Sequence, residues 1–388
     1  MYDIDYESGV VNIGDFTRLK RAFAKAESKS PVCVGFIGGS ITQGARSSTP
    51  ETCYAYLVYL WWKEKFPETE IKYVNAGIGG TPSNFGVARV HDDLLKYDPD
   101  FAVVEFSVND ENTEHFEETY EGLVRCILKN SLNTGLMLVH NVQYDSMVSA
   151  EPVHLLIGKH YDIPCVSMKS SVYPKVASGE IPAREITPDD LHPNDAGHRL
   201  LANLIIHMLE KAYETYESEK PEPYEAAGDV LTPKPSEMAG DFLLPDPITE
   251  NGFEYSLRLN NTNCVPMICG FEKDETVQNH ITEMFRHGYT AAHKGDKIEF
   301  KAFCSSVAVQ FRKSVNKPTP IGRVVIDGDE SSAKILDGNF DEDWGDCLYT
   351  ETVAAHMELR EHSILIEIIK DHPDDVVPFY LVSVIASR

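Results

Sequence analysis

Between residues 32 and 213 short apolar runs alternate with longer helical segments, and this order constrains the fold more than any other feature of the chain. Residues 32–37 form an unbroken apolar run bounded by Pro31, Gly38 and Gly39, the pattern of a strand buried on both faces. Residues 71–74, 101–106, 136–139 and 164–167 read as further strands. Helices are expected over 54–66, stopped by Pro67, and over 85–97, 116–129 and 152–161. A last helix is expected from about Ala196 to Tyr213, capped by Asn194 or Asp195. Strict β-α alternation predicts an α/β domain, a parallel sheet with helices on both faces, over residues 1–216. Sites in such sheets form in the loops that follow the strands.

From 217 to 235 the composition turns to Glu, Pro, Lys and Ala, which reads as a linker. Beyond it, strand-like runs at 297–303, 307–311, 323–326, 363–369 and 380–385 are separated by turns such as 327–329 and 337–339. They predict an antiparallel β-sandwich over 236–388. A total of 388 residues suits two domains better than one core.

The net charge of −26 sets the chain against phosphate backbones and anionic lipid, so no nucleic-acid and no membrane partner is expected. A neutral substrate such as a sugar ester is compatible. The N-terminus lacks the basic start and apolar run of an export signal, no stretch is apolar enough to span a bilayer, and the eight cysteines are scattered without ligand spacing. Reduced, buried thiols and a cytoplasmic location are expected, with Cys264–Cys269 the nearest disulfide alternative.

Four short segments carry candidate chemistry. Gly38, Gly39 and Ser40 place a serine on a glycine turn directly after a buried strand, where its hydroxyl would leave the sheet beside backbone N–H groups. Ser40 could equally be a helix cap; a phosphate loop is disfavoured because Ala45 stands where the phosphate-binding lysine belongs. His192 lies in a loop before the last helix, and a carboxylate at Asp189 can fold back to its Nδ1, with Asp190 the adjacent alternative. Gly79, Gly80 and Asn109 follow two other strands, where a glycine N–H and a side-chain amide could meet a developing oxyanion. Ser40, Gly80 and Asn109 each follow a different parallel strand, so their loops share one end of the sheet.

Gly39-Ser40-Ile41-Thr42, Gly80, Ser107-Val108-Asn109-Asp110 and the Asp189/His192 pair resemble the four blocks of the SGNH (GDSL-like) hydrolases, in order, over roughly residues 30–200. Gly39 and Ile41 stand where that family's name-giving motif has Asp and Leu, and Ser107 where many members have Gly. The resemblance implies a flavodoxin-like three-layer domain and a serine esterase without metal or organic cofactor. In it Ser40 would be nucleophile, His192 general base and acid, and Asp189 its orienter, with Ser40, Gly80 and Asn109 binding the oxyanion. The variant first block joined to a β-domain is similar to bacterial carbohydrate acetylesterases, most narrowly to carbohydrate esterase family seventeen, which deacetylates mannan oligosaccharides. The β-domain resembles the carbohydrate-binding sandwiches attached to such enzymes. A lipid or thioester hydrolase and a non-catalytic glycan-binding protein are the alternatives.

Trp344, in the acidic loop 337–346, is a candidate for stacking on a sugar ring or for a buried anchor. That loop's carboxylates suit a solvated turn better than Ca²⁺. At least one of Trp61 and Trp62 belongs to the core, and the surplus aromatic surface of their helix would meet the second domain or another subunit in a homodimer.

Overall fold

The structure, a computed structural model, describes residues 2–131, 133–220 and 244–388. Its first part runs β1 (Val10–Asn12), α1 (Thr17–Glu27), β2 (Val32–Gly38), α2 (Ser40–Gln43), α3 (Tyr54–Lys65), β3 (Ile71–Gly77) and α4 (Ser83–Asp93). It continues with β4 (Phe101–Glu105), α5 (Glu114–Asn130), β5 (Gly135–His140), α6 (Glu151–His160) and β6 (Cys165–Ser167). Three short turns, α7 (Met168–Ser171), α8 (Tyr173–Ala177) and α9 (Ala183–Ile186), lead to α10 (Asp195–Glu219).

The sheet order is β1-β6-β5-β4-β2-β3, parallel except for β1, which pairs antiparallel with β6. The chain leaves β2 for β3 on one side and returns to β4 on the other, so the crevice where the strand order reverses opens at the end of β2. Alternate residues serve opposite faces, as strand geometry requires. Val32, Val34, Phe36, Phe101 and Val103 join the core beneath α1, α3 and α10, while Ile37, Ala102 and Val104 join that beneath α4, α5 and α6.

The expected helices and strands are present with shifted ends, and β1 and α1 are among the elements that were not anticipated. β1 has only three residues, too few for a period. α1 does carry a helical signal, since Leu19, Ala22, Phe23 and Ala26 are its buried face. Asn194 is the cap of α10, its Oδ1 accepting the Ala196 and Gly197 N–H groups. That helix outruns Tyr213 because Tyr213 and Tyr216 pack on Phe23 and donate to Glu27, both on α1. The expected linker therefore begins inside α10, and residues 221–235 lie outside the described ones. Trp61 and Trp62 are both core of the α/β layer, packed around Phe23 and Phe66. The second domain does not meet this helix: it docks on Ile78, Phe85 and Ala88, and Tyr56 and Tyr59 stay half-buried around Tyr73.

The second part holds β7 (Ser256–Leu259), β8 (Met267–Cys269), β9 (Glu272–Lys273), β10 (Tyr289–Ala291), β11 (Lys297–Cys304) and β12 (Ser306–Lys313). β13 (Ile321–Ile326), β14 (Lys334–Asp337), β15 (Cys347–Ala354), β16 (Arg360–Lys370) and β17 (Phe379–Ser387) complete it. Two antiparallel sheets enclose one core: β15-β12-β17-β10-β9 with β7 on β17, and β14-β13-β16-β11-β8. β17 is buried along its whole length because its other face meets the α/β domain: Tyr380, Val382 and Ile385 pack with Ile78, Phe85 and Ala88. Before β7 the chain is strapped to α5. Glu121 accepts the Ile248 and Thr249 N–H groups at 2.9 Å, Glu118 accepts that of Gly252 at 2.6 Å, and Glu254 pairs with Arg125 at 2.8 Å. All eight cysteines are free thiols, Cys264 and Cys269 included, and six are buried.

Candidate active site

The single-turn helix α2 starts at Ser40 because Gly39, at φ −86° and ψ −147°, turns the chain out of β2. The Ser40 Oγ lies 2.9 Å from Nε2 of His192, which the loop before α10 delivers from the far end of the domain. The other ring nitrogen, Nδ1, is 3.0 Å from Asp189 Oδ2. A nitrogen facing a carboxylate must donate, so the proton sits on Nδ1 and Nε2 keeps the lone pair that can accept from Ser40.

Asp189 is held as firmly as it holds. Its Oδ1 accepts the backbone N–H groups of His192 at 2.8 Å and Leu191 at 3.2 Å, and Arg46 Nε donates to Oδ2 at 3.1 Å. Burial pushes the carboxyl upward, but the His192 backbone N–H, the His192 ring and Arg46 together outweigh it and bring the pKa down to about 2. Asp190, the alternative partner, turns away with a positive φ of 62° and pairs with Arg184. Arg46 was not legible from spacing, since nothing in the sequence pairs it with a residue more than a hundred positions on.

The loop after β3 runs alongside Ser40. The Ile78 N–H donates to Gly38 O at 3.1 Å and the Gly79 N–H to Gln43 Oε1 at 2.6 Å. The Gly79 amide is thereby committed to Gln43, and Gly80, at φ 67°, makes the bend that a side chain would strain. Asn109 comes from the loop after β4 and lies against Gly39, so closely that a methyl group on Gly39 would sit 2.0 Å from Asn109 Oδ1. Ser40, Gly80, Asn109, His192 and Asp189 thus meet at one end of the sheet.

Trp344 reaches the same place from the other domain, its Cη2 3.6 Å from where a Gly80 side chain would begin. The indole is 57% exposed, edge-on to Phe340, with Nε1 donating to Glu342. It is therefore not a buried anchor. Among the described residues no group of three or more His, Cys, Asp or Glu side chains is placed to hold a metal ion, and no helix is long and apolar enough to cross a membrane.

Residues 36–200 match the model of the GDSL-like lipase/acylhydrolase family. Over 99% of both chains the protein is 46% identical to a crystal structure of a two-domain esterase (CEX) active on acetylated mannans, with a TM-score of 0.91. A second structure, of CEX co-crystallized with mannopentaose, shares 45% identity over 100% of this chain and 98% of that one, again with a TM-score of 0.91. The chain belongs to the GDSL-like esterases. Comparison with curated proteins gives no match. Family membership makes the protein an esterase with an α/β SGNH domain followed by an antiparallel β-domain. Serine esters are the covalent intermediates that a hydroxyl beside an oriented imidazole can form.

Proposed function

We propose that this esterase removes acetyl groups from acetylated manno-oligosaccharides through an acetyl-Ser40 intermediate. The observation that carries the reading is the 2.9 Å approach of Ser40 to a histidine oriented by Asp189, in a chain alike over its full length to an esterase of acetylated mannans. Ser40 Oγ attacks the acetyl carbon while its proton passes to His192 Nε2. The carbonyl oxygen, now an oxyanion, takes hydrogen bonds from the Ser40 and Gly80 N–H groups and the Asn109 amide. His192 then protonates the sugar oxygen and the alcohol leaves. Water, deprotonated by the same nitrogen, attacks acetyl-Ser40, and collapse of the second tetrahedral intermediate releases acetate and restores the serine.

On this reading Trp344 lies where a sugar ring entering beside Gly80 would stack on it, giving the β-domain a part in substrate binding. A neutral saccharide also suits a chain of net charge −26. The test is acetate release from a panel of acetylated manno- and xylo-oligosaccharides, with products resolved by mass spectrometry. The Ser40→Ala variant should keep less than about a thousandth of the rate. Turnover by that variant near the wild-type rate, or a preference for long acyl esters, overturns the proposal.

A further inference from the structure

Behind the strand ends lies a pair of ionisable side chains that the proposed reaction does not touch. Asp110 and His154 are fully shielded from solvent, with His154 Nε2 3.0 Å from Asp110 Oδ2. Facing a carboxylate oxygen, Nε2 is the donor. The second oxygen, Oδ1, accepts the Ser83 backbone N–H at 2.8 Å. Ser83 is the first residue of α4, three positions after Gly80, and its N–H is one of those a helix start leaves without a partner of its own. Asp110 directly follows Asn109, and both backbone N–H groups are fixed on Phe106 O at 2.9 Å. A single carboxylate therefore fastens the segment carrying Asn109 to the segment carrying Gly80.

His154 is itself immobilised. Its ring lies flat on Tyr120, with centroids 3.5 Å apart and planes 6° from parallel. The residue that precedes its helix, Ala150, donates its N–H to Ser107 O at 2.7 Å, tying α6 to the Asn109 loop. On the other side Ser83 Oγ shares a hydrogen bond of 2.8 Å with Thr119 of α5.

We propose that the Asp110–His154 pair positions the oxyanion hole, holding the Gly80 amide and the Asn109 side chain in register with each other. The inference rests on the assignment of those two groups as oxyanion donors. Both members are positioning residues, since they act through Ser83 and Asn109 and meet no reacting atom. Without the histidine, the buried carboxylate loses one of its two donors, and the link between the loops slackens. Displacements of about 1 Å in donors aimed at a transition state cost about a hundredfold in rate.

The test is a double-mutant cycle on purified full-length enzyme. His154→Phe keeps a flat ring on Tyr120 but cannot donate to Asp110; His154→Gln restores an amide N–H. His154→Phe should lower kcat about tenfold to a hundredfold with KM changed less than about twofold, and His154→Gln should recover most of the loss. Asn109→Ala alone should lower kcat by about 10²- to 10³-fold. Combined with it, His154→Phe should cost clearly less than it does alone, because one of the two donors it positions has gone. Equal losses in both backgrounds, no rescue by Gln, or a loss that merely follows the folded fraction in thermal melts would overturn the proposal. An Asn109→Ala enzyme with unchanged kcat would instead bring down the oxyanion assignment, and this inference with it. Should His154→Phe not fold, Asp110→Asn carries the same test. Its amide cannot accept from both Ser83 and His154, so the same loss in kcat at constant KM is expected, and its absence refutes the pair.

Discussion

Replacing Asp189 by Asn separates the orienting role of the carboxylate from its bulk. The amide has two ways to sit. It can keep its oxygen on the Leu191 and His192 backbone N–H groups, turning its NH₂ toward Nδ1 and forcing the ring proton to Nε2, where His192 can no longer take the Ser40 proton. Or it can flip, offering oxygen to Nδ1 and giving up the two backbone hydrogen bonds of 2.8 and 3.2 Å. Two such bonds are worth about 2 kcal/mol. Either way the negative charge that steadies the imidazolium is lost. With the carboxylate side chain 30% exposed and shared with Arg46, that charge contributes about 1–2 kcal/mol, well below the value for a dry site. The sum, about 3–4 kcal/mol, corresponds to a fall in kcat of about 10²- to 10³-fold, less than the ~10⁴ of a fully buried triad. The assay is acetate release at saturating substrate, with Asp190→Asn as control; that carboxylate serves Arg184, so the control should stay within about threefold. An Asp189→Asn enzyme keeping more than about a tenth of wild-type kcat would refute the argument. Acid does not imitate the mutation. The Asp189 pKa is depressed from 3.8 to about 2, so its contribution to stability is complete above pH 3.8 and disappears only as pH falls through about 2.

Three further outcomes are expected. Glu105, fully buried at the end of β4, is raised by desolvation from 4.5 to about 7, so the stability tied to its proton is present below pH 4.5 and lost as pH rises through about 7. Glu105→Gln should therefore gain stability over wild type at pH 8, by up to about 3 kcal/mol, and much less at pH 5; equal melting shifts at both would refute this. Gly39→Ala pushes a methyl group against the end of the Asn109 side chain, not against backbone, so it should cost kcat about a hundredfold with little change in melting temperature. Trp344→Ala should raise KM for oligosaccharides about threefold to tenfold while leaving kcat on a small aryl acetate unchanged; an unaltered KM would remove Trp344 from the substrate site.

What could be read from the sequence follows from the range of the interactions concerned. The strand run at 32–37 and the helices after it were visible because a strand buried on both faces has to be apolar throughout, and that signal is local. β1 was invisible because three residues carry no period, and the true end of α10 because Tyr213 and Tyr216 are retained by α1 rather than by their own turn. For the site, the convergence of Ser40, Gly80 and Asn109 followed from one topological rule, that loops after parallel strands share an edge. The choice of Asp189 over Asp190 also rested on a local argument, fold-back within a tight loop. Arg46 and the Asp110–His154 pair escaped because each joins segments 44 or more positions apart by contact alone.

The placement of the second domain belongs to the same long-range class, and it changes how the site is understood. An isolated α/β layer of this kind would leave Ile78 and Phe85, on either side of the Gly79–Gly80 bend, as apolar surface. Here Tyr380, Val382 and Ile385 of β17 cover them, and the seam brings the loop bearing Trp344 onto Gly80. The contact that buries β17 and the contact that sets an indole beside the proposed oxyanion loop are therefore made by one docking event. A β-domain that folded alone but docked elsewhere would leave the Ser40–His192 contact intact and take away only the indole. In this architecture the α/β layer holds the groups proposed to move protons, and the seam decides what stands opposite them.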